Sequence, residues 1–353
     1  GTLLDESGRV ESPGFRSDYR SWFATQAPNL DPDATGIGWN DYTARAYVLP
    51  EELHPTRWTA DCAVRFIDSY ARMEPWFLKV SFARPHSPYD PPSRWWKHYE
   101  NADLPQARAG DWAGKYRARN SNAADIWHGD VGAAEARAAR VGYSGSVSFV
   151  DEQIGRILES LERRKMLDET FILYLSDHGD MTGDHWLWRK SYAYEPSAHI
   201  PLLVRGPGAR GGKVNRTPVE IRDVLPTLAS AAGLPIPEQC DGQNMLTARR
   251  DWIDLEHNVC YADTNHWTAL TDGRWKYIYH AFDGSEQLFD LTSDPHELKD
   301  LAGEVSRSSE LRAWRSRMTM HIAPRGPEWV TNGRLIPRPR SMPLSPNYPS
   351  LNG

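Results

Sequence analysis

A long amphipathic pattern followed directly by a short apolar run is the feature that most constrains the fold. Apolar residues recur at helical spacing over 147–161, and the segment TFILYLS at 170–176 then has the composition of a buried strand. The strand pattern IPLLV at 200–204 and the helix pattern RDVLPTLASAAG at 222–233 repeat this unit. Alternating helices and apolar strands are typical of a parallel sheet that is covered on both faces. The sequence therefore predicts an α/β fold with a mostly parallel sheet sandwiched by helices.

The part of the chain before this unit predicts loops, one helix and one strand. Residues 1–56 are rich in Asp, Pro and Gly, and residues 101–135 are polar, so both stretches are predicted to be loops. Helical spacing runs over 58–73, and WFLKVSF at 76–82 has a strand pattern. The proline-rich ARPHSPYDPP follows, and because prolines cannot continue a central strand, His86 is expected in a stiff loop at the strand's end.

Short strand patterns follow one another in the last third of the chain. VCYAD, WTALTD, RWKYIYH and EQLFDL lie within 259–291 with turn signals between them, and the helix pattern SSELRAWRSRMTMH follows at 308–321. This order indicates an antiparallel sheet with a covering helix. The 353-residue chain also exceeds the roughly 250–300 residues that a single core supports. We therefore predict a large α/β domain over 1–250, a small antiparallel-sheet subdomain over 251–322 and a proline-rich extended tail over 323–353.

Charge and composition exclude several classes of protein. Lys and Arg number 41 against 47 Asp and Glu, a net charge of −6 without a basic block, so no nucleic-acid partner is predicted. No apolar run reaches the ~18–20 residues that span a bilayer, and the first ten residues lack the pattern of a signal peptide. The sequence predicts a soluble chain and leaves its compartment open. Cys62, Cys240 and Cys260 are expected to be buried hydrophobic residues, with a Cys240–Cys260 disulfide as the alternative.

Titratable residues crowd the segment LSDHGDMTGDHWLWRK at 175–190, where an apolar strand pattern ends. Ligands bind at the carboxyl ends of strands in open α/β sheets. Asp177 and His178 are adjacent there, on a turn that Gly179 supports. A carboxylate beside an imidazole on such a turn predicts half of a metal site. The alternative is a turn in which Asp177 caps the following residues and His178 bonds to backbone carbonyls.

Lys190 is the candidate anion clamp, because a lysine in a water-poor pocket places a compact charge with three donors against an anionic oxygen. The alternative is a surface lysine paired with Asp184 or Glu195. Two weaker candidates, one of which would only support the site, are Asp180 and His185.

Four longer stretches resemble the sulfatase family of the alkaline phosphatase superfamily. In the family's order they are WFLKVSFARPHSPYDPP, YSGSVSFVDEQIGRIL, YLSDHGDMTGDHWLWRKSYAYEPSAHIPLLV and LFDLTSDPHELKDL, and they cover much of 60–302. The forms SDHG, RPH and AHIP are similar to choline-sulfatase-like and iduronate-2-sulfatase-like members.

The resemblance implies a role for each matching residue. Asp177 and His178 would bind the metal, Lys190 would grip the sulfate, and His86 would contact the ester and donate a proton. The family's metal is Ca²⁺, whereas an imidazole ligand suits Mn²⁺ or Zn²⁺ as well. The remaining substrate contacts would be His185 and His199.

Two features depart from the family pattern. Many sulfatases have an Arg where His199 stands, which changes the expected substrate contact. Family members also carry, near their N-terminus, an Asp-Asp pair and a C/S-x-P-x-R motif whose Cys or Ser becomes the formylglycine nucleophile, and no such motif occurs in these 353 residues. We therefore expect the chain to work with a missing N-terminal segment or a second chain that supplies the formylglycine.

The resulting hypothesis is a sulfuric ester hydrolase that cleaves a sulfate monoester with the help of a metal. One alternative is a phosphonate monoester or phosphodiester hydrolase of the same superfamily, and another is a catalytically inactive binding module. The substrate would be a sulfated small molecule or, since the chain has 15 Trp, a sulfated sugar. The tail over 323–353 is expected to lie over the large domain or over a neighbouring subunit and to support a homo-oligomer.

Overall fold

The computed structural model describes residues 16–209 and 211–340, and these form two compact units. The domain boundaries predicted at 250 and 322 remain predictions, because the two units are defined only by their internal contacts. The described residues of the first unit run up to Ala107 and include Tyr116–Thr170 and Thr182–Trp188; those of the second unit are Arg108–Lys115, Phe171–Met181 and the chain from Arg189 onward.

The first unit is helical. The helix predicted over 58–73 is present and begins at Pro55. Proline suits the first helical position, and His54 Nδ1 accepts a hydrogen bond from the Thr56 amide at 3.1 Å. Two elements were not predicted, the first helix and the helix after the His86 loop, because both lie among loop-type residues. The four helices are α1 Asp18–Gln26, α2 Pro55–Ser69, α3 Ser93–Glu100 and α4 Ala133–Arg163, with a 3₁₀ turn at Glu51–Leu53.

The long helix α4 positions the loop that carries His86. Val150 and Leu161 of the predicted apolar face are buried, but Val147 of the same face is 43% exposed and Phe149 is buried instead. Two glycines on this helix allow a close approach: a Cβ at Gly142 would lie 2.6 Å from the Tyr89 carbonyl oxygen, and one at Gly145 would lie 2.7 Å from the Pro91 ring. Backbone and proline ring therefore pack directly on the helix.

The strand predicted at 76–82 is absent from the structure. The side chains of the segment alternate in exposure, with Phe77 74% exposed, but it has no ladder with any other described residue. A sequence pattern reports which face of an extended segment is apolar, whereas a strand also needs a neighbour that completes its backbone hydrogen bonds. The prediction of a strand was wrong here for that reason.

The sheets among the described residues are antiparallel, so the predicted mostly parallel sheet is not found there. Strand β1 Ile172–Leu175 pairs with β2 Leu202–Arg205, and Ile172 lies opposite Arg205. The connection between them consists of turns and the four-residue helix α5 Glu195–Ala198, not of a crossover helix that would return the chain in the same direction. Both strands were predicted, and only their relative direction was wrong.

The predicted antiparallel sheet with a covering helix is confirmed in the second unit. Its strands, in spatial as in chain order, are β3 Ile253–Cys260, β4 Ala262–Thr271, β5 Trp275–His280 and β6 Glu286–Asp290. Helix α7 Ser308–Ile322 buries Trp314 and Met318 against sheet residues such as Tyr277 and Leu288. The helix α6 Val224–Ala231 matches the predicted helix at 222–233.

The described part of the tail packs on this sheet. Residues Val330–Thr331 (β7) and Arg334–Leu335 (β8) form a short hairpin, and Trp329 beside it belongs to the sheet's core with 4% exposure. The sequence pattern did not predict this hairpin, and the tail as far as residue 340 packs on the four-stranded sheet and not, as expected, over the large domain. Residues 341–353 of the predicted extended tail lie outside the described residues, so the proposed subunit contact remains a prediction.

Two further predictions concern membranes and cysteines. Across 16–209 and 211–340, no helix has the length and apolar character that crossing a membrane requires. Cys62, Cys240 and Cys260 are free thiols, so the alternative of a Cys240–Cys260 disulfide is wrong.

Candidate active site

The turn at Asp177 and His178 presents a carboxylate beside an imidazole. It follows strand β1, and the Asp177 side chain is 85% exposed. His178 Nδ1 lies 2.8 Å from the Gly179 carbonyl oxygen, which can only accept, so Nδ1 carries the hydrogen. His178 Nε2 lies 3.7 Å from Asp177 Oδ2. The turn thus places the Asp177 carboxylate next to the Nε2 atom of His178 just after strand β1. Both groups are possible metal ligands.

A close backbone contact anchors this turn to helix α5. The Gly179 amide donates to the Ser197 carbonyl oxygen at 2.8 Å. A Cβ at Gly179 would meet the Pro196 carbonyl oxygen closer than real Cβ atoms come to a backbone atom. Glycine is therefore required at this position by the close approach of the helix, and the helix fixes where the turn lies.

Lys190 lies half-buried in the same unit, on a strained stretch of backbone. Its neighbours Arg189 and Ser191 have φ of 65° and 78°, values that residues with a side chain adopt infrequently. Burial lowers the pKa of Lys190, and the nearby charges of Asp180 and Asp177 act in the opposite direction. The lysine is thus a partly desolvated cation within electrostatic range of the Asp177 turn.

Strand β4 holds the backbone next to Lys190. The Ser191 carbonyl oxygen accepts two hydrogen bonds, from Asn265 Nδ2 at 3.2 Å and from Trp267 Nε1 at 3.0 Å. These side-chain donors compensate for the strained conformation, because they fix a carbonyl that no regular secondary structure would bind. Sequence reasoning did not identify either residue.

His199 is the exposed candidate. Its side chain is 74% exposed, and its Nδ1 lies 2.7 Å from Glu195 Oε2, one helical turn earlier on α5. The hydrogen bond that His199 donates to the Glu195 carboxylate raises the pKa of His199. Burial alone would raise the pKa of Glu195, but the bonds from His199 and Lys276 lower it to about 2. The structure therefore assigns Glu195 to His199 and Lys276, and the only signal for Lys276 was one lysine inside the apolar strand WKYIY.

His86 lies in the first unit, in a loop with many internal contacts. Its Nδ1 is 2.7 Å from the Ser87 carbonyl oxygen and its ring stacks on Trp39, with centroids 4.3 Å apart and planes at 22°. The buried pair Arg84–Asp90, 2.8 Å apart, closes the loop on either side of the histidine. The prediction that His86 lies in a loop is confirmed, although the strand expected before it is absent, and Trp39 is a neighbour that the sequence did not suggest.

His185 also belongs to the first unit and is buried. It is 1% exposed, in the 3₁₀ turn Asp184–Trp186, with a φ of 57°. Asp184, the alternative partner predicted for Lys190, pairs with Arg140 at 2.6 Å. The structure places Asp177, His178, Lys190 and His199 in the second unit and His86 and His185 in the first, so their joint action remains a prediction.

The residues present fit part of a metal site. A metal-binding histidine commonly donates its second ring N–H to a backbone carbonyl, and His178 has this arrangement with Gly179. No group of three or more His, Cys, Asp or Glu side chains suited to a metal occurs within the two described ranges. Asp177 and His178 alone would therefore leave most of an ion's coordination to other donors.

Comparison with known proteins identifies the family. The sulfatase family profile matches residues 14–234, and the profile of the N-sulphoglucosamine sulphohydrolase C-terminal region matches residues 183–322. An arylsulfatase of Clostridium perfringens is 33% identical over 90% of this chain and 68% of the relative. A choline-sulfatase of Rhizobium meliloti is 36% identical over 70% of this chain, which spans about half of that relative's length (51%).

A solved structure supports the fold. The phosphonate monoester hydrolase of Agrobacterium radiobacter superposes with a TM-score of 0.75 over 95% of this chain and 74% of that protein, at 24% identity. At this identity the likeness concerns the α/β fold alone. The matches along the sequence assign the chain to the sulfatase family, the sulfate-ester-hydrolysing enzymes of the alkaline phosphatase superfamily.

Proposed function

We propose that the protein containing this chain hydrolyses a sulfate monoester at a metal-dependent site to which Asp177, His178, Lys190 and His86 contribute. The observation that carries the proposal is the half-buried Lys190, which lies between two residues with positive φ and in the electrostatic range of the Asp177 turn. A surface lysine has no need of a fixed, strained backbone, whereas a charge that must meet a transferring sulfuryl group does.

Lys190 would stabilise the negative charge on the sulfuryl oxygens. Because the lysine is partly removed from water, its charge acts through a lower effective dielectric than that of an exposed lysine. The hydrogen bonds from Asn265 and Trp267 to Ser191 hold the adjacent backbone, so little reorganisation is needed when the substrate binds.

His86 would protonate the leaving oxygen. Its Nδ1 hydrogen is directed at the Ser87 carbonyl oxygen, so the donor to the substrate would be Nε2. A ring that donates through both nitrogens is the imidazolium form. The proposed acid therefore requires His86 to be protonated before the ester bond breaks.

Asp177 and His178 would hold the metal ion. The family resemblance points to Ca²⁺, and the imidazole also suits Mn²⁺ or Zn²⁺. When bound, a divalent cation would polarise and orient the ester oxygens. The chain's own contribution is the fixed turn, which the Gly179–Ser197 hydrogen bond ties to helix α5.

The nucleophile would be the family's formylglycine, formed from a Cys or Ser in a C/S-x-P-x-R motif. Such a motif is absent from the sequence, so the proposal includes a segment or second chain that supplies it. The relatives are named for aryl and choline sulfate esters, which makes a small sulfate ester the first substrate class to test and a sulfated sugar the second.

A paired assay tests the proposal. The complete protein encoded with this chain is incubated with a chromogenic aryl sulfate and with the matching phosphonate monoester, before and after removal of metal with a chelator. We expect sulfate release that is lost on chelation and restored by Ca²⁺ or Mn²⁺. A clear preference for the phosphonate would favour the alternative hydrolase, whose fold relative is the Agrobacterium enzyme, and no turnover of either ester would favour the inactive binding module.

A further inference from the structure

A chain of charged groups leads from the antiparallel sheet to His199. Lys276 Nζ, on strand β5, lies 2.6 Å from Glu195 Oε1 and 2.8 Å from Glu297 Oε1. The other oxygen of Glu195 lies 2.7 Å from His199 Nδ1, and the other oxygen of Glu297 accepts the Glu195 amide at 2.7 Å. Both oxygens of each carboxylate are therefore occupied, and Glu195 has one defined orientation.

The inner part of this chain is excluded from water. The side chains of Lys276 and Glu297 are 1% and 0% exposed. Although burial alone lowers the pKa of Lys276, the charges of Glu297 and Glu195 outweigh it and raise the pKa above the ordinary lysine value. Lys276 is thus a permanent buried cation, and it keeps Glu195 ionised.

The balance of charge points outward to His199. Lys276 and Glu297 would neutralise each other as a pair, but Glu195 adds a second carboxylate to the same lysine. Burial raises the pKa of Glu297, but its ion pair with Lys276 at 2.8 Å and the hydrogen bond from the Glu195 amide favour its ionised form. With both carboxylates ionised, the group of three carries one positive and two negative charges, which a protonated His199 balances. These three are the charged groups that face His199, from α5, β5 and the turn after β6.

Helix α5 connects His199 to the rest of the candidate site. His199 follows this helix directly, and the helix carbonyl of Ser197 accepts the Gly179 amide next to His178. The segment between Lys190 and Glu195 is held as well, since the Tyr194 hydroxyl is 2.8 Å from Gln287 Oε1 on β6. Residues of the four-stranded sheet β3–β6 therefore hold the segment that carries both Lys190 and His199.

We propose that Glu195, held by Lys276 and Glu297, is a positioning residue that presents His199 as a cationic contact for the anionic group of the substrate. This inference rests on the proposed function, because it takes the substrate to be a sulfate ester. It adds a second cation to Lys190, one whose charge depends on pH. Sulfate binding therefore weakens as the pH rises through the pKa of His199.

The test separates the coupling from the binding. In the complete protein, the His199 ring is titrated by ¹H–¹⁵N correlation spectra in wild type, in Glu195→Gln and in the control Glu256→Gln, whose carboxylate pairs with Arg325 instead. Inorganic sulfate is then titrated at a pH below the wild-type midpoint, with Lys190→Ala and His199→Ala included. Circular dichroism verifies that each variant is folded.

We expect the His199 midpoint to fall in Glu195→Gln and to stay unchanged in Glu256→Gln. Sulfate affinity should fall about tenfold in Glu195→Gln and in His199→Ala, the size of one lost charge-assisted hydrogen bond. Lys276→Arg, which keeps the buried charge, should retain the wild-type midpoint if it folds, and Glu195→Gln decides the question if it does not.

An unchanged His199 midpoint in Glu195→Gln would overturn the inference, and so would a lowered midpoint with unchanged sulfate affinity. If Lys190→Ala weakens sulfate binding in either case, the proposed function stands and only the role of Glu195 is wrong. If neither Lys190→Ala nor His199→Ala changes sulfate affinity, both the inference and the proposed anion site fail.

Discussion

Lys276 Nζ and Glu297 Oε1 form an ion pair at 2.8 Å with both side chains essentially inaccessible to water. Removing one member of such a pair leaves a buried charge without compensation, which costs about 3–5 kcal/mol. We predict that Lys276→Met lowers the free energy of unfolding by that amount. The double variant Lys276→Met, Glu297→Gln should lose much less, and urea unfolding curves of both variants provide the measurement. Equal losses in the two would mean that the lysine contributes through packing and not through charge.

Glu195 gives stability that is lost in acid. Its pKa is about 2 in the folded protein against 4.5 ordinarily, so its contribution is complete above pH 4.5 and disappears as the pH falls towards 2. The contribution is on the order of 3 kcal/mol. We predict that the Tm of wild type falls more steeply over this range than the Tm of Glu195→Gln. Parallel slopes in the two melting series would show that Glu195 does not account for the acid sensitivity.

Lys190→Ala should lower kcat/KM of the complete enzyme by a factor on the order of 10²–10³, the loss found for one preorganised charge-stabilising donor. The exposed Lys213→Ala is the matched control and should keep wild-type kinetics. Steady-state rates on an aryl sulfate decide between them. A Lys190→Ala enzyme as fast as its control would make Lys190 an ordinary surface lysine.

Asp177→Asn should weaken metal binding and abolish turnover, because it removes a formal charge from the ion's surroundings at nearly constant volume. Calorimetric titration of Ca²⁺ or Mn²⁺ into the metal-free complete protein measures the affinity. Asp151→Asn, on the exposed face of α4, is the control. Unchanged affinity in the first variant would leave Asp177 as a turn residue.

Trp39→Ala should reduce kcat more than it changes KM, because the stacked indole holds the His86 ring in place. An aromatic pair is worth about 0.5–1.5 kcal/mol, which corresponds to a rate loss of up to about tenfold. Trp39→Phe keeps an aromatic face and should recover most of the rate. If both variants affect only KM, Trp39 contacts the substrate and does not position His86.

The sequence predicted what depends on local pattern. The helix within α4, the strands β1 and β2 and the antiparallel sheet with its covering helix α7 all follow from apolar spacing. The direction of β2 relative to β1 was wrong, since the apolar pattern of a strand is the same in either direction. The segment 76–82 failed for a related reason: its pattern is that of a strand, but pairing is a property of a neighbour.

The candidate site was predictable where it matched a motif and not where it depends on tertiary contacts. The sequence motifs that resemble the sulfatase family contain four of the candidate residues, Asp177, His178, Lys190 and His86. Lys276 and Glu297 are distant from them in sequence, and a lysine in a strand ordinarily indicates an exposed face, so its burial follows only from the two carboxylates that meet it. The sequence predicts His185 as a substrate contact close to Lys190, yet its side chain is buried in the first unit, whereas Lys190 belongs to the second.

The contact between Gly179 and the Pro196 carbonyl has a practical consequence for directed evolution. Any side chain at 179 would clash with helix α5 and displace the turn. Variants at this position in a mutant library would therefore have a disturbed site. The side chain of His199, three residues after Pro196, is 74% exposed, so substitutions there should leave the backbone in place. A library aimed at new substrates should therefore randomise 199 and leave 179 as glycine.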